Sequence, residues 1–383
     1  MDFYNNTPLA AGIARSELLY KDLLLATVAI KGTWEADPSK GELRLLEEQP
    51  EVVEADAETP FGPLDLDLMP IKSACDFAIY GNAHAPSSRR TVDSMRVGIR
   101  IGSFQRSIAV FGERIWEKRG GALAISHPKP FSKMPITWEN SFGGAALDEG
   151  GNAVSYADNP DGKGFVTIEE NVPGTPLPNI EEADQLITDW RQHPMPAALT
   201  AVKRTSALRG TRGIHADLEQ QRTSLDPSAF TFSHPRMMLP RYPSGERVEL
   251  DGMTAAGRWE VQLPRIDASI VVVLGDASYV LPLVPDTVVL YPEDRRICVI
   301  ARRAIVYEFA PERLRSIRVV QGDTPGGHRR TTTITEQKNA QAPVVLLGPA
   351  CDPEVLPIPF SVILEHYPLT TILEGLPLCP SGR

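Results

Sequence analysis

The sequence predicts a mainly β protein, a β-rich α+β chain of antiparallel, sandwich-like sheets with a long Pro/Gly-rich loop region and few short helices. Three observations predict it. Apolar and polar residues alternate in runs at both ends of the chain, two segments carry tight hairpin signals, and the middle is punctuated by proline and glycine too often for a long helix. In chain order, Leu24 to Trp34 reads as the first strand, with Val28, Ile30 and Trp34 on one face and Lys31 and Thr33 on the other. Glu42 to Glu48 alternates around Leu43 and Leu45, and Cys75 to His84 is a third strand. Met95, Val97, Ile99 and Ile101 then alternate with Arg96, Gly98 and Arg100. Gly102-Ser103 supplies a two-residue turn, and Ser107 to Phe111 returns. That hairpin reads as half-buried, apolar inside and basic or polar outside.

From Pro128 to Pro243 regular elements are expected to be short. One short helix is expected over Ile180 to Arg191, capped by Asn179, with Glu181 and Glu182 at its positive end. The aromatic residues Trp138, Phe142, Tyr156 and Phe165 predict that this long loop is ordered. Strands resume at Arg258 to Leu263, Ala268 to Leu274 and Ser278 to Leu283. Asp286 to Tyr291 and Ile297 to Tyr307 flank the turn Pro292 to Arg295. A helix is expected at Pro311 to Arg318, an exposed loop at Gln321 to Ala342, a strand at Val344 to Leu347 and a short helix, interrupted by Pro368, at Ile363 to Leu376. The domain reading is one body over 1–320, strand-rich over 1–127 and 246–310 with a loop-rich insert at 128–245. A linker (321–342) and a C-terminal tail (343–383) follow.

A formal net charge of −10 argues against a nucleic-acid partner, because a phosphate backbone calls for a dense Lys/Arg surface. The four cysteines, Cys75, Cys298, Cys351 and Cys379, form no CxxC pair, so reduced thiols, no disulfide framework and no metal are expected. Met1-Asp2-Phe3 opens without a basic leader, which points to a cytoplasmic location. The longest apolar run, around Ile270 to Pro285, is broken by Gly275 and Asp276, so no membrane insertion is expected. No GxSxG, HExxH, Walker A or GxGxxG occurs. Asp161-Gly162-Lys163-Gly164 lacks the glycine and the Ser/Thr of a phosphate loop. None of the seven histidines stands at metal-pair spacing; His127, His193 and His234 directly precede proline, so they read as exposed or hydrogen-bonded loop residues. The Glu47-Glu48, Glu169-Glu170 and Glu181-Glu182 pairs read as solvated faces or a charged helix start. No catalytic residue and no cofactor is assigned.

What stands out is a set of aromatic-glycine and Asn-Pro segments whose candidate residues are Trp138, Glu139, Asn140, Phe142, Gly143, Gly144, Asn159, Pro160, Gly164, Phe165, Asn179 and Glu181. They read either as a rigid recognition surface or as internal staples of a long loop. Together with Asn5 to Pro8, Val28 to Trp34, Leu45 to Pro50, Ser73 to Asp76, Gly81 to Pro86, Arg96 to Gly98, Val110 to Trp116 and Pro285 to Val288, they resemble bacterial domain-of-unknown-function family 2169 over roughly residues 1–310. The resemblance implies an accessory protein of type VI secretion. Such a protein is a non-catalytic adaptor or chaperone that binds a toxin effector and helps load it onto the spike or tip protein. The competing readings are a hydrolase-type enzyme with a site in 128–245 and a structural component of the secretion particle.

Overall fold

The computed structural model describes residues 1–18, 23–37, 41–54, 57–64, 66–70, 72–202, 214–217, 222–225, 230–275, 277–308, 314–322 and 345–347. The fold is mainly β, built from several largely antiparallel sheets. Its axis is a 14-residue strand, Leu23–Ala36, whose alternating β-branched and apolar residues suit a pleated surface. It pairs antiparallel with Arg296–Glu308, and Ile297 faces Trp34, Ala301 faces Ile30 and Ile305 faces Ala26. Ala10–Leu18 lies on one side of this pair. Val284–Tyr291, Cys75–Ile79 and Met238–Leu239 extend the large sheet on the other.

A 14-residue strand is roughly 45 Å long at about 3.3 Å per residue, longer than any strand of the smaller sheets. One face of the large sheet therefore carries two of them. Near Trp34, the residues Phe77, Ile79, Val288, Leu290 and Val299 pack on a five-stranded sheet through Val97, Ile99, Ile108, Val248 and Val261. The strand order there is Ile180–Glu182, Phe104–Phe111, Ser94–Ile101, Arg247–Asp251 and Arg258–Gln262. At the other end Val28, Ile30, Ala301 and Ile305 pack on a four-stranded sheet through Ile270, Val272, Ile317 and Val319. Trp34 touches both cores.

The opposite face of the large sheet is covered as well. Lys31 and Thr33 do point away from Val28 and Ile30, yet both are buried. The segment after Leu45 crosses over them: Gln49 bonds both backbone groups of Thr33, and Lys31 reaches Asp67 at 3.0 Å. Deeper on this face Lys72 pairs with Asp76 at 2.7 Å and Arg302 with Asp286 at 2.8 Å, all four inaccessible to solvent or nearly so.

Both hairpin turns form where expected, with Gly102 at φ 54° in the first and Arg295 at φ 53° in the second. Two expected helices do not form. Ile180–Glu182 is a strand paired with Phe104–Phe111, and Leu314–Gln321 is a strand between Asp2–Asn5 and Ala268–Leu274. In each case sheet edges offer the backbone ladder partners, and the apolar spacing at Ile317 and Val319 is the two-residue period of a strand. Residues 311–313 and the expected helix at Ile363 to Leu376 lie outside the described residues, as do the loop beyond Gly322, Cys351 and Cys379. Val345–Leu347 is a strand, pairing with Ala304, Ile305 and Val306. The helical elements named here are single 3-10 turns, Trp138–Asn140, Glu169–Asn171 and Pro235–Met237. Among the described residues no helix is long and apolar enough to cross a membrane. Cys75 and Cys298 are buried thiols outside any disulfide among the described residues, and burial pushes the Cys298 thiol up to about 12.

Candidate functional site

Residues 138–182 of the Pro/Gly-rich middle form a knot, and most of the candidate residues are its ties. Trp138–Asn140 makes one 3-10 turn, after which Phe142-Gly143 pairs in parallel with Lys163-Gly164. Asn159 closes the crossing. Its amide donates to the carbonyls of Trp138 at 2.7 Å and Phe142 at 3.0 Å, and its own carbonyl accepts from Gly144 N–H. A side chain would not fit here. A Cβ on Gly143 would lie 2.0 Å from the Asn159 oxygen, and one on Gly144 would lie 2.7 Å from the Gly162 oxygen. Both glycines also hold positive φ, 149° and 104°.

Two further residues join the knot to the five-stranded sheet. Lys163 donates to the side-chain oxygens of Asn140 at 3.0 Å and Asn179 at 2.7 Å, so the lysine of the DGKG segment is turned inward. Burial lowers its pKa, and Glu113 raises it only in part. Asn179 accepts from Phe111 N–H at its backbone carbonyl, donates its side-chain amide to the Phe111 carbonyl and gives its own backbone N–H to Asn140 O; it caps no helix. Trp138 is buried, with its indole N–H donating to Ala201 O at 2.6 Å. Gly164 packs against Pro178, and Phe142 and Phe165 stand in an aromatic group with Tyr156 and His193. Glu139 and Pro160 are exposed.

The Glu181-Glu182 pair is not solvated, which corrects the sequence reading. Adjacent strand residues face opposite sides, and here both sides are covered. Glu181 meets Arg114 at 2.5 Å and accepts from Ile187 N–H. Glu182 is held by Arg106 and, at 3.0 Å, by Arg236. Burial raises the Glu181 pKa against the pull of Arg114. Arg106 belongs to the inward face of its strand and lies under the loop, bonding Ala198 O. Beside it His234 is buried, with Nε2 against Pro196 O at 2.7 Å and Nδ1 accepting from Arg236 N–H at 3.0 Å. Both ring nitrogens are thus engaged by backbone. Burial first, then Arg106, pushes its pKa down to about 3.

The sequence reading missed Arg106, Arg114, Lys163 and Arg236. Arg114 and Lys163 stood inside segments already singled out, and Arg106 left a trace as a charge two residues before Ile108 in the apolar alternation; Arg236 left none. It also missed four exposed apolar side chains on and beside the knot, Ile115, Leu147, Leu186 and Met195. No group of three His, Cys, Asp or Glu side chains is arranged to hold a metal ion among the described residues.

The comparisons bear on this region. Residues 22–302 match the family model described as an uncharacterized protein conserved in bacteria, DUF2169. The chain belongs to this family. The DUF2169 match spans the knot whole, from Trp138 to Glu182, and ends inside the long strand Arg296–Glu308. No curated protein and no solved structure matches the chain.

Proposed function

We propose that this protein is a non-catalytic cytoplasmic adaptor of type VI secretion, which binds a toxin effector and helps load it onto the spike or tip protein. The secretion assignment rests on the sequence resemblance. The adaptor half rests on one observation: the reactive groups in and around the knot are tied inward, while four apolar side chains on and beside it stand exposed. Glu181, Glu182 and Lys163 close on Arg114, Arg106, Asn140 and Asn179, and His234 has both nitrogens on backbone. An enzyme site needs such groups convergent on an open pocket. Meanwhile Ile115, Leu147, Leu186 and Met195, on the knot and the segments flanking it, are between 42% and 53% exposed. Side chains of that kind supply the apolar contacts of a protein interface.

The test is a deletion strain scored for the secreted tube protein and for killing by each neighbouring effector. The reading expects loss of killing by one effector with the tube protein still secreted. Normal killing by every effector overturns it, and loss of the secreted tube protein makes the protein a structural component. Turnover of a substrate by the purified chain alone revives the hydrolase reading.

A further inference from the structure

On the side of the five-stranded sheet away from Ile180–Glu182, a groove of about 1190 Å³ runs along the edge strand Arg258–Gln262. We propose that this groove docks an extended, acidic segment of a partner protein. The site is separate from the knot, and the proposal does not depend on the secretion assignment.

Shape is the first argument. The groove exceeds the roughly 300–1,000 Å³ typical of small-molecule sites, and the strand beside it is about 17 Å long, enough to lie alongside five extended residues. Among the described residues the strand has Arg247–Asp251 as its only ladder partner. Strand addition at its centre is nevertheless blocked, because Gly41 leans on it. A Cβ on Gly41 would stand 3.5 Å from the Glu260 carbonyl oxygen. A bound segment must therefore be held mainly by side chains.

Charge is the second argument. Four arginines line the groove, Arg247, Arg258, Arg265 and Arg295, against the three carboxylates Asp37, Glu42 and Glu260. The excess is positive in a chain whose net charge is −10. Arg247 and Arg258 are already paired with Glu260, and Arg258 also with Glu249. No ion pair or side-chain hydrogen bond joins Arg265 or Arg295 to another described residue. Two guanidinium groups therefore stand ready for carboxylates, which they bind in a bidentate fork.

Backbone conformation is the third. Arg295 is the one non-glycine residue at positive φ among the described residues, φ 53°. Glycine or asparagine fits that turn position at less steric cost. The backbone is clamped there, with Arg295 N–H donating to Pro292 O at 3.2 Å and its carbonyl accepting from Ala36 N–H at 2.8 Å. An arginine in a position that favours glycine indicates a role for its side chain. Trp34, Leu43 and Trp259 add apolar wall between the charges. Side chains of an extended segment alternate between two sides, so acidic residues alternating with apolar ones match this lining.

The experiment uses the full chain and fluorescence anisotropy of a labelled ten-residue peptide in which Glu alternates with Val. Its Lys counterpart and free glutamate serve as competitors. The expected result is saturable binding of the acidic peptide, at least tenfold weaker binding of the Lys peptide, and weakening with salt. Arg295→Gly should lose at least tenfold in affinity while melting no lower than the parent, since glycine tolerates φ 53°. Arg265→Gln, at an exposed position beyond the strand, should weaken binding in the same direction. No binding, equal binding of both peptides, or parental affinity in both variants overturns the proposal. An effector still captured by the Arg295→Gly, Arg265→Gln double variant would overturn the groove as that client's site and leave the adaptor reading standing.

Discussion

Acidification should cost the fold stability through His234. The neutral ring carries its proton on Nε2, facing Pro196 O, and accepts from Arg236 N–H at Nδ1. A second proton at Nδ1 would set two N–H groups against each other and place a cation beside Arg106. The folded pKa of about 3 lies below the roughly 6.5 of an unfolded chain. The sign follows from linkage: the folded state holds fewer protons, so this contribution is complete above about pH 6.5 and is lost as pH falls towards 3. At pH 5 the unfolded histidine is protonated and the folded one is not. The gap of about 1.5 pH units corresponds to a loss of about 2 kcal/mol. Urea unfolding at pH 8 and pH 5 reads this directly when His234→Gln is run beside the parent. Glutamine can keep both hydrogen bonds without titrating, and the carboxylates contribute alike to both proteins. The parent should lose about 2 kcal/mol more than the variant between the two pH values. Equal losses would refute the assigned burial and bonding of His234.

Other substitutions test the knot. Glu181→Gln leaves the Arg114 guanidinium buried without its counter-charge and should cost about 3–5 kcal/mol in urea unfolding. Trp138→Ala removes a buried indole and should cost about 3–5 kcal/mol, seen as a lowered melting temperature. Gly143→Ala, with its Cβ 2.0 Å from the Asn159 oxygen, should abolish the cooperative thermal transition. Gly151→Ala, at φ 77° with no neighbour within 4 Å, should only lower the melting temperature slightly. Cys75 and Cys298 should resist a thiol reagent at pH 8 in the native chain and react once urea is added, as located by peptide mapping.

The sequence by itself determined what short-range periodicity can encode. The alternation of Val28, Ile30 and Trp34, the Gly102-Ser103 turn and the Pro292 to Arg295 turn each specify a strand or hairpin through neighbours two to four residues apart. Proline and glycine spacing likewise pointed to a middle without a long helix, and none occurs among its described residues. What only the tertiary structure decided depends on partners far along the chain. Glu181 and Glu182 had the look of a helix start. They are strand residues because Phe104–Phe111 offers a ladder and because Arg114 and Arg106 arrive from 67 and 76 residues away to neutralise them. Lys31 alternates as an outward residue and is buried because Asp67 crosses over it. The groove beside Arg258–Gln262 left no local signature at all. It is a gap between the segment Gly41 to Leu43, the turn at Arg295 and a sheet edge, and its charge is a sum over segments that meet only once the chain has folded.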